Sequence, residues 1–277
     1  EDNAATTSGA TTDPGDYTVL GSKGTATVAV NAGDTAKEFA AALNAVTSTT
    51  GVTATAVTKV LLSTSSTAQS AVTGTPTIAD GTTVTSLRIN DIVVLDSNNT
   101  ASISATDFRD LRDKINEKSA QTGVTAKMGA SNQDLILTDA DGDDIILDEF
   151  DTSSATAQFA VQVLKADETV AGTSEAADAD DYGQEGLLAD KDFTGIADQD
   201  RVLISGSTTL SATGDFTVTG GAAASTTANA HIKATSVSGS LSTVSGLNIS
   251  TATGASSAIT TIDGAINMVT SNRADLG

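Results

Sequence analysis

Cysteine and tryptophan are absent from the 277 residues, and there are only two prolines, two tyrosines and one histidine. Without cysteine there is no disulfide framework, no thiolate metal site and no cysteine nucleophile. The lone histidine, His231, excludes a paired-histidine zinc motif, and any Ser-His-Asp triad would have to be built on it. It stands in "NAHIKA", away from any Gly-x-Ser-x-Gly pattern, and reads as a surface or strand-edge residue. No apolar run approaches the roughly 20 residues that span a bilayer. Basic residues are scarce as well: 14 Lys+Arg face 35 Asp+Glu, a formal net charge of −21. Such a field repels phosphate backbones and anionic headgroups, so neither nucleic acid nor membrane is an expected partner. The opening "EDNAATTSGATTDPGDY" has no basic segment followed by an apolar one and does not read as a secretory signal.

What is present is small and branched. Ala, Val, Leu and Ile supply most of the apolar content, with Thr, Ser and Gly between them, a profile of finely packed β structure. The length suffices for two or three compact domains. "YTVLGSKGTATVAV" alternates like strand material. "GDTAKEFAAALNAV" is a helix with a possible capping box of Thr35 and Glu38, and Phe39, Ala42, Leu43 and Val46 fall on one face. After "TSTTG", the run "VTATAV" returns to a period of two. The order then recurs. "LRINDIVVL" reads as a strand, "SATDFRDLRDKINEKS" as a capped helix, and "GVTAKMGASNQDLILTDADGDDIIL" as a strand followed by a hairpin. Gly51-Val52-Thr53-Ala54 and Gly123-Val124-Thr125-Ala126 lie 72 positions apart, and the same offset places Phe39 on Leu111, Leu43 on Ile115 and Asn44 on Asn116. Two copies of a strand–helix–strand unit follow. Phe39 and Leu43 are the expected core of the first, and Leu111 and Ile115 that of the second.

The acidic turn "DADGDD" invites a calcium reading through Asp139, Asp141, Asp143 and Asp144. A calcium loop starting at Asp139 needs Gly at its sixth position and Glu at its twelfth, where this chain has Asp144 and Phe150. The flanking "LILT" and "IIL" point instead to a hairpin with a solvated acidic tip. No Ser/Gly run carries the Gly-Lys-Ser/Thr ending of a phosphate loop. No catalytic residue, metal site or cofactor is expected, and the chain is not expected to be an enzyme.

Near the end, Ile259, Ile262, Ile266, Val269 and Leu276 step by three, four, three and seven, with Arg273 between the last two. That is the narrow seam of a coiled-coil-like helix, whose partner must come from outside the chain described so far. "LNISTATGASSAITTIDGAINMVTSNRADLG" resembles the region of bacterial flagellins that returns to the filament core, with Ala258, Ile259, Ile262, Asp263, Ala265, Arg273, Ala274, Asp275, Leu276 and Gly277 on the pattern. The repeated "DTAKEFAAALNAVTSTTGVTATA" and "LRDKINEKSAQTGVTAK" resemble the module flagellins insert in their outer domains, shared with hook-associated and cap proteins.

The resemblance implies an extracellular structural subunit of the flagellar filament. It packs through Ile259, Ile262, Ile266, Val269, Arg273 and Leu276 against other flagellin subunits, with an export chaperone and a cap as further partners. In full-length form the core helices would engage an innate immune receptor. It further implies a fragment, lacking an N-terminal helix and a continuation past Gly277. The expected fold is α+β: a β-rich multi-domain chain of small sheets, each covered by a short helix, ending in a long coiled-coil-like helix. Its stretches are 1–80, an extension and first module; 81–150, the second module; 151–235, a β-rich outer region; and 236–277, the return to the core. The competing reading is a flagellin-like surface protein binding polysaccharide or a host surface through the region from Asp151 to His231, where Phe159, Tyr182, Phe193 and Phe216 are the aromatic candidates.

Overall fold

A computed structural model describes residues 15–31, 33–63, 81–104, 107–153, 158–168, 185–189, 202–212, 214–220, 236–239 and 250, together with nine helical positions between 255 and 273. His231, Tyr182, Phe193, Leu276 and most of the link between the repeats lie outside these residues.

The run from Tyr17 to Val30 is two strands: β1 (Gly15–Gly21) and β2 (Gly24–Val30) fold back around Ser22-Lys23. Helix α1 (Ala36–Ala45) begins with the capping box, the Thr35 N–H donating to Glu38 Oε2 at 2.8 Å and the Glu38 N–H to Thr35 Oγ1 at 3.3 Å. A single helical turn, α2 (Thr47–Thr50), leads through Gly51 into β3 (Val52–Ser63). The "LRINDIVVL" segment is likewise two strands, β4 (Thr82–Ile89) and β5 (Ile92–Leu95). Asn90 and Asp91 between them have φ of 51° and 63°, the double left-handed geometry of a type I′ turn. Asp91→Gly relieves the steric cost of that geometry and is expected to stabilise the protein by about 0.5–1 kcal/mol in urea unfolding.

The second copy continues with β6 (Ala101–Ile103), α3 (Arg109–Glu117), the one-turn α4 (Ser119–Thr122) and β7 (Val124–Met128). No side chain caps α3 at its N-cap, Phe108. Instead Asp107, one residue earlier, accepts the Arg109 N–H at 3.1 Å, while the Phe108 ring is fully buried and anchors the turn. Next come β8 (Asp134–Asp139), β9 (Ile145–Thr152), β10 (Gln158–Leu164), β11 (Glu185–Ala189), β12 (Val202–Ile204), β13 (Ser207–Ala212), β14 (Phe216–Thr219) and β15 (Ser236–Gly239).

Three small sheets result, every pairing between these strands antiparallel. One runs β15-β14-β1-β2; the second runs β11-β10-β3-β8-β7, with β13 also on β3; the third runs β12-β9-β4-β5, with β6 on β4. The expected β8–β9 hairpin does not form. β8 pairs with β3 and β7, and β9 with β4 and β12, so residues 140–144 are a crossover from one sheet to another. Five of the six β8 residues are buried, the pattern of a central strand covered on both faces, which a one-sided hairpin would not show.

Two apolar cores lie between these layers. The larger joins Val60 and Leu62 of β3 to Leu87, Ile89, Phe108, Leu111, Ile115, Leu135, Leu137, Ile145, Leu147 and Phe150. The smaller gathers Tyr17, Val19, Phe39, Leu43, Val52, Ala54 and Val218, with the Tyr17 and Phe39 rings 5.2 Å apart and tilted at 59°. The helices do not each cover one sheet. α1 lies on β2, β3 and β13, and α3 on β5, β6 and β7, so each spans strands of two sheets. A twisted sheet of a few strands is too narrow to bury a helix face by itself, and the neighbouring sheet completes the cover.

The long closing helix is not part of this picture. Among its residues only Ala255, Ala258, Ile259, Ile262, Ala265, Ile266, Val269, Thr270 and Arg273 are described, each helical.

Candidate functional site

The two copies agree to the level of single hydrogen bonds. In the first, the Asn44 side chain spans helix and strand: Nδ2 donates to the Ala54 carbonyl and Oδ1 accepts the Ala54 N–H, both at 2.8 Å. In the second, Asn116 makes the same pair to Ala126, again at 2.8 Å and 2.8 Å. A side-chain amide matches a strand residue's N–H and C=O because it offers one donor and one acceptor in a plane. Below each clamp a buried threonine closes the helical turn. Thr50 Oγ1 donates to the Val46 carbonyl and accepts the Val52 N–H; Thr122 Oγ1 donates to the Lys118 carbonyl and accepts the Val124 N–H. Gly51 and Gly123 both turn the chain with φ of 77°, left-handed backbone that glycine adopts without strain. Phe39 and Leu43 are buried in the smaller core, Leu111 and Ile115 in the larger.

The modules meet where the 140–144 crossover lies on α1. The Lys37 N–H donates to the Gly142 carbonyl at 3.1 Å, and Lys37 Nζ reaches Asp143 at 2.7 Å and Asp141 at 3.5 Å. The hydrogen bond to Asp143 holds the Lys37 pKa above its ordinary value. Gly142, with φ of 85°, lies so close to β3 that a Cβ would stand 2.4 Å from that of Ala56. The acidic loop is therefore anchored at its base, while the Asp141 and Asp143 side chains stay 75 % and 46 % exposed. Asp139 is buried, and its Oδ1 accepts the N–H groups of Asp141, Gly142 and Asp143 at 3.0, 3.0 and 3.3 Å. Those bonds engage Oδ1 with the loop's own backbone, and no group of three or more His, Cys, Asp or Glu that could hold a metal ion occurs among the described residues. Beside the crossover opens a cleft of about 460 Å³ lined by Asn90, Thr122, Gly123, Asp139, Asp141 and Asp143.

Asn90 closes this cleft from the second module. Its Oδ1 accepts the Ile146 N–H at 2.8 Å, its Nδ2 donates to the Thr122 carbonyl at 2.9 Å, and its own N–H donates to the Ile146 carbonyl at 3.0 Å. One side chain thus ties the β4–β5 turn to β9 and to the end of α4. Read along the chain, Asn90 passes for a strand residue, and only the Asn-Asp pair between two apolar runs signals a turn there.

The described seam residues of the closing segment are exposed, although Ala258 beside them is buried. Ile259, Ile262, Ile266 and Val269 are 62, 42, 57 and 59 % exposed, and Arg273 is also exposed. Of the aromatic candidates, Phe216 packs against the smaller core, with Gly239 pressed on its ring. The side chain of Phe159 lies outside the described residues.

Small sheets, bridged by short helices and tied by a repeated amide clamp, define a duplicated-module protein whose copies are built to pack. The comparison with known families falls on the first copy: residues 18–68 match the flagellin hook IN motif. That span contains α1, the Asn44 clamp, Gly51 and all of β3, and the match supports a flagellin-type protein. No curated protein matches the chain.

Proposed function

We propose that this chain belongs to a structural subunit of the bacterial flagellar filament, on the outside of the cell. The observation that carries the reading is the coincidence of the 18–68 family match with a complete first module, repeated 72 residues later with the same clamp. The exposed stepping of Ile259, Ile262, Ile266 and Val269 supports it, because an apolar stripe of that spacing is stable in water only when another helix covers it. In this reading the outer modules meet solvent and the seam meets neighbouring subunits. Delivery depends on an export chaperone, and assembly on a cap. The core helices of the full-length protein offer the surface for an innate immune receptor. No catalytic role is assigned.

The test is complementation. The full-length gene expressed in a cell lacking its own flagellin restores filaments visible by electron microscopy, and with them swimming. Antibody labelling along the whole filament supports the reading. Label confined to the junction between hook and filament overturns it in favour of a hook-associated role. The chain of residues 1–277 by itself is expected to sediment as a monomer or weak dimer, since a lone seam helix is marginal without its partner.

A further inference from the structure

Two strand edges of this chain are closed by its own side chains. The Asn44 and Asn116 clamps occupy backbone groups of β3 and β7 that point away from the strands paired there, β13 and β8. β2 is different. It ends its sheet and pairs only with β1. The two-residue turn at Ser22-Lys23 makes Gly21 and Gly24 the first hydrogen-bonded pair, so Ala26, Val28 and Val30 bond to β1. The N–H and C=O groups of Thr25, Thr27 and Ala29 then point outward. These residues are exposed, and no described residue bonds to those groups. Natural edges are commonly blunted by charge, proline or a bulge. β2 reads GTATVAV, without a charge or a proline, and its register with β1 runs unbroken from Gly24 to Val30.

Charge indicates what fits this edge. At a net charge of −21, two copies of the chain repel each other except where the charge is locally balanced. β2 is neutral, with Lys23 just before it and Asn31 just after it. The Asn31 N–H donates to the Asp34 carboxylate at 2.8 Å, which fixes an anion at that end. Lys23 is exposed and forms no ion pair with a described residue. A cation at one end and an anion at the other match a second β2 laid antiparallel, because each end then meets its opposite. A parallel strand would set Lys23 beside Lys23. The backbone gives the same answer. With Thr27 facing Thr27 of the second copy, and Thr25 facing Ala29 in both directions, every outward N–H and C=O finds a partner.

We propose that β2 is a self-association edge: two copies of this chain pair β2 to β2 about a two-fold axis through Thr27, joining their four-stranded sheets into one. The same strand serves on both sides, so the contact closes on itself and does not propagate. It joins backbone groups more than apolar surface, so in free solution it is weak and exchanges readily. Where other contacts hold copies side by side, the raised local concentration favours it without any new contact. The pairing does not depend on whether the chain builds filaments.

Because the chain has no cysteine, a single introduced thiol reports the pairing. In the two-fold arrangement Thr27 faces itself at a Cα separation of about 5.5 Å, within disulfide reach, whereas Thr25 stands about 14 Å from Thr25 of the second copy. On mild oxidation of the chain of residues 1–277, Thr27→Cys is expected to form a covalent dimer about tenfold faster than Thr25→Cys, or than Thr18→Cys on the neighbouring strand. Adding Lys23→Glu should remove most of that advantage by setting like charges together. Adding Ile262→Glu should leave it unchanged, since that side chain is on the exposed seam and not at the edge. Equal rates at the three positions overturn the proposal, whether the edge stays open or takes a strand from a different protein. A faster Thr25→Cys overturns it by showing another register. An advantage lost with Ile262→Glu also overturns it, and assigns the association to the seam while leaving the filament reading intact. Sedimentation equilibrium of the native chain needs no variant: a mass fixed at the monomer value up to about 1 mM overturns the proposal as well.

Discussion

Phe39→Ala is expected to cost about 3–5 kcal/mol of folding stability, enough to leave the smaller core unfolded or close to it at room temperature. Phe39 is 1 % exposed, lies on the Tyr17 ring and shares its core with Val19, Leu43, Val52 and Val218. Removing it takes away a large buried apolar area and opens a cavity that β strands on three sides cannot close. β3 enters both cores, so the loss is expected to spread. Chemical denaturation followed at Tyr17 and at an amide of β8 should give two coincident transitions in the native chain, both shifted in the mutant. A mutant whose β8 transition stays at the native midpoint would show that the cores are independent, and that β3 does not couple them.

The second large effect is expected at the twin clamps. Asn44→Ala and Asn116→Ala each remove two hydrogen bonds and leave a backbone N–H and C=O of Ala54 or Ala126 without partners. Each uncompensated group costs about 1–3 kcal/mol when buried. Both sites are partly open to water, so about 1–3 kcal/mol per clamp is expected in total. The clamps share no partner, so the double mutant should lose the sum of the two within about 0.5 kcal/mol. Asn116→Asp is a sharper probe: it keeps the acceptor for the Ala126 N–H but sets a carboxylate oxygen against the Ala126 carbonyl. It should recover less than half of the loss. Equal stability of Asn116→Ala and the native chain in urea would show that the repeated geometry carries no energy.

Much of the repeat was legible along the chain, because its marks are local. The 72-residue offset that aligns Gly51 with Gly123 also aligns Asn44 with Asn116, and a polar residue recurring beside an apolar helical face was the visible trace of the clamp. The Thr35–Glu38 box was equally plain, since it depends on four consecutive residues. What could not be read was which strand lies beside which. "LILT" and "IIL" flank a short acidic turn as hairpin strands do. Their separation into different sheets is decided by distant strands: β3 takes β8 (Ser63 opposite Asp134) and β4 takes β9 (Ile89 opposite Leu147). The β4–β5 turn was missed for a different reason: Asn90 and Asp91 sit inside a run that is otherwise apolar except for Arg88. For the seam at Ile259 to Arg273, the spacing speaks of a partner, and the structure adds the exposure of those side chains.

β3 has a mechanical consequence. At twelve residues it is about 40 Å long. One stretch, Val52–Val57, is bonded to β13; the rest, Thr58–Ser63, lies between β8 and β10. A pull along its axis loads these ladders in shear, so the hydrogen bonds share the load and must fail together, whereas a pull across it would open them one at a time. The strand therefore acts as a tie-rod between the two cores. Drag along that direction is resisted by the whole ladder at once, without any change in composition or any added cross-link.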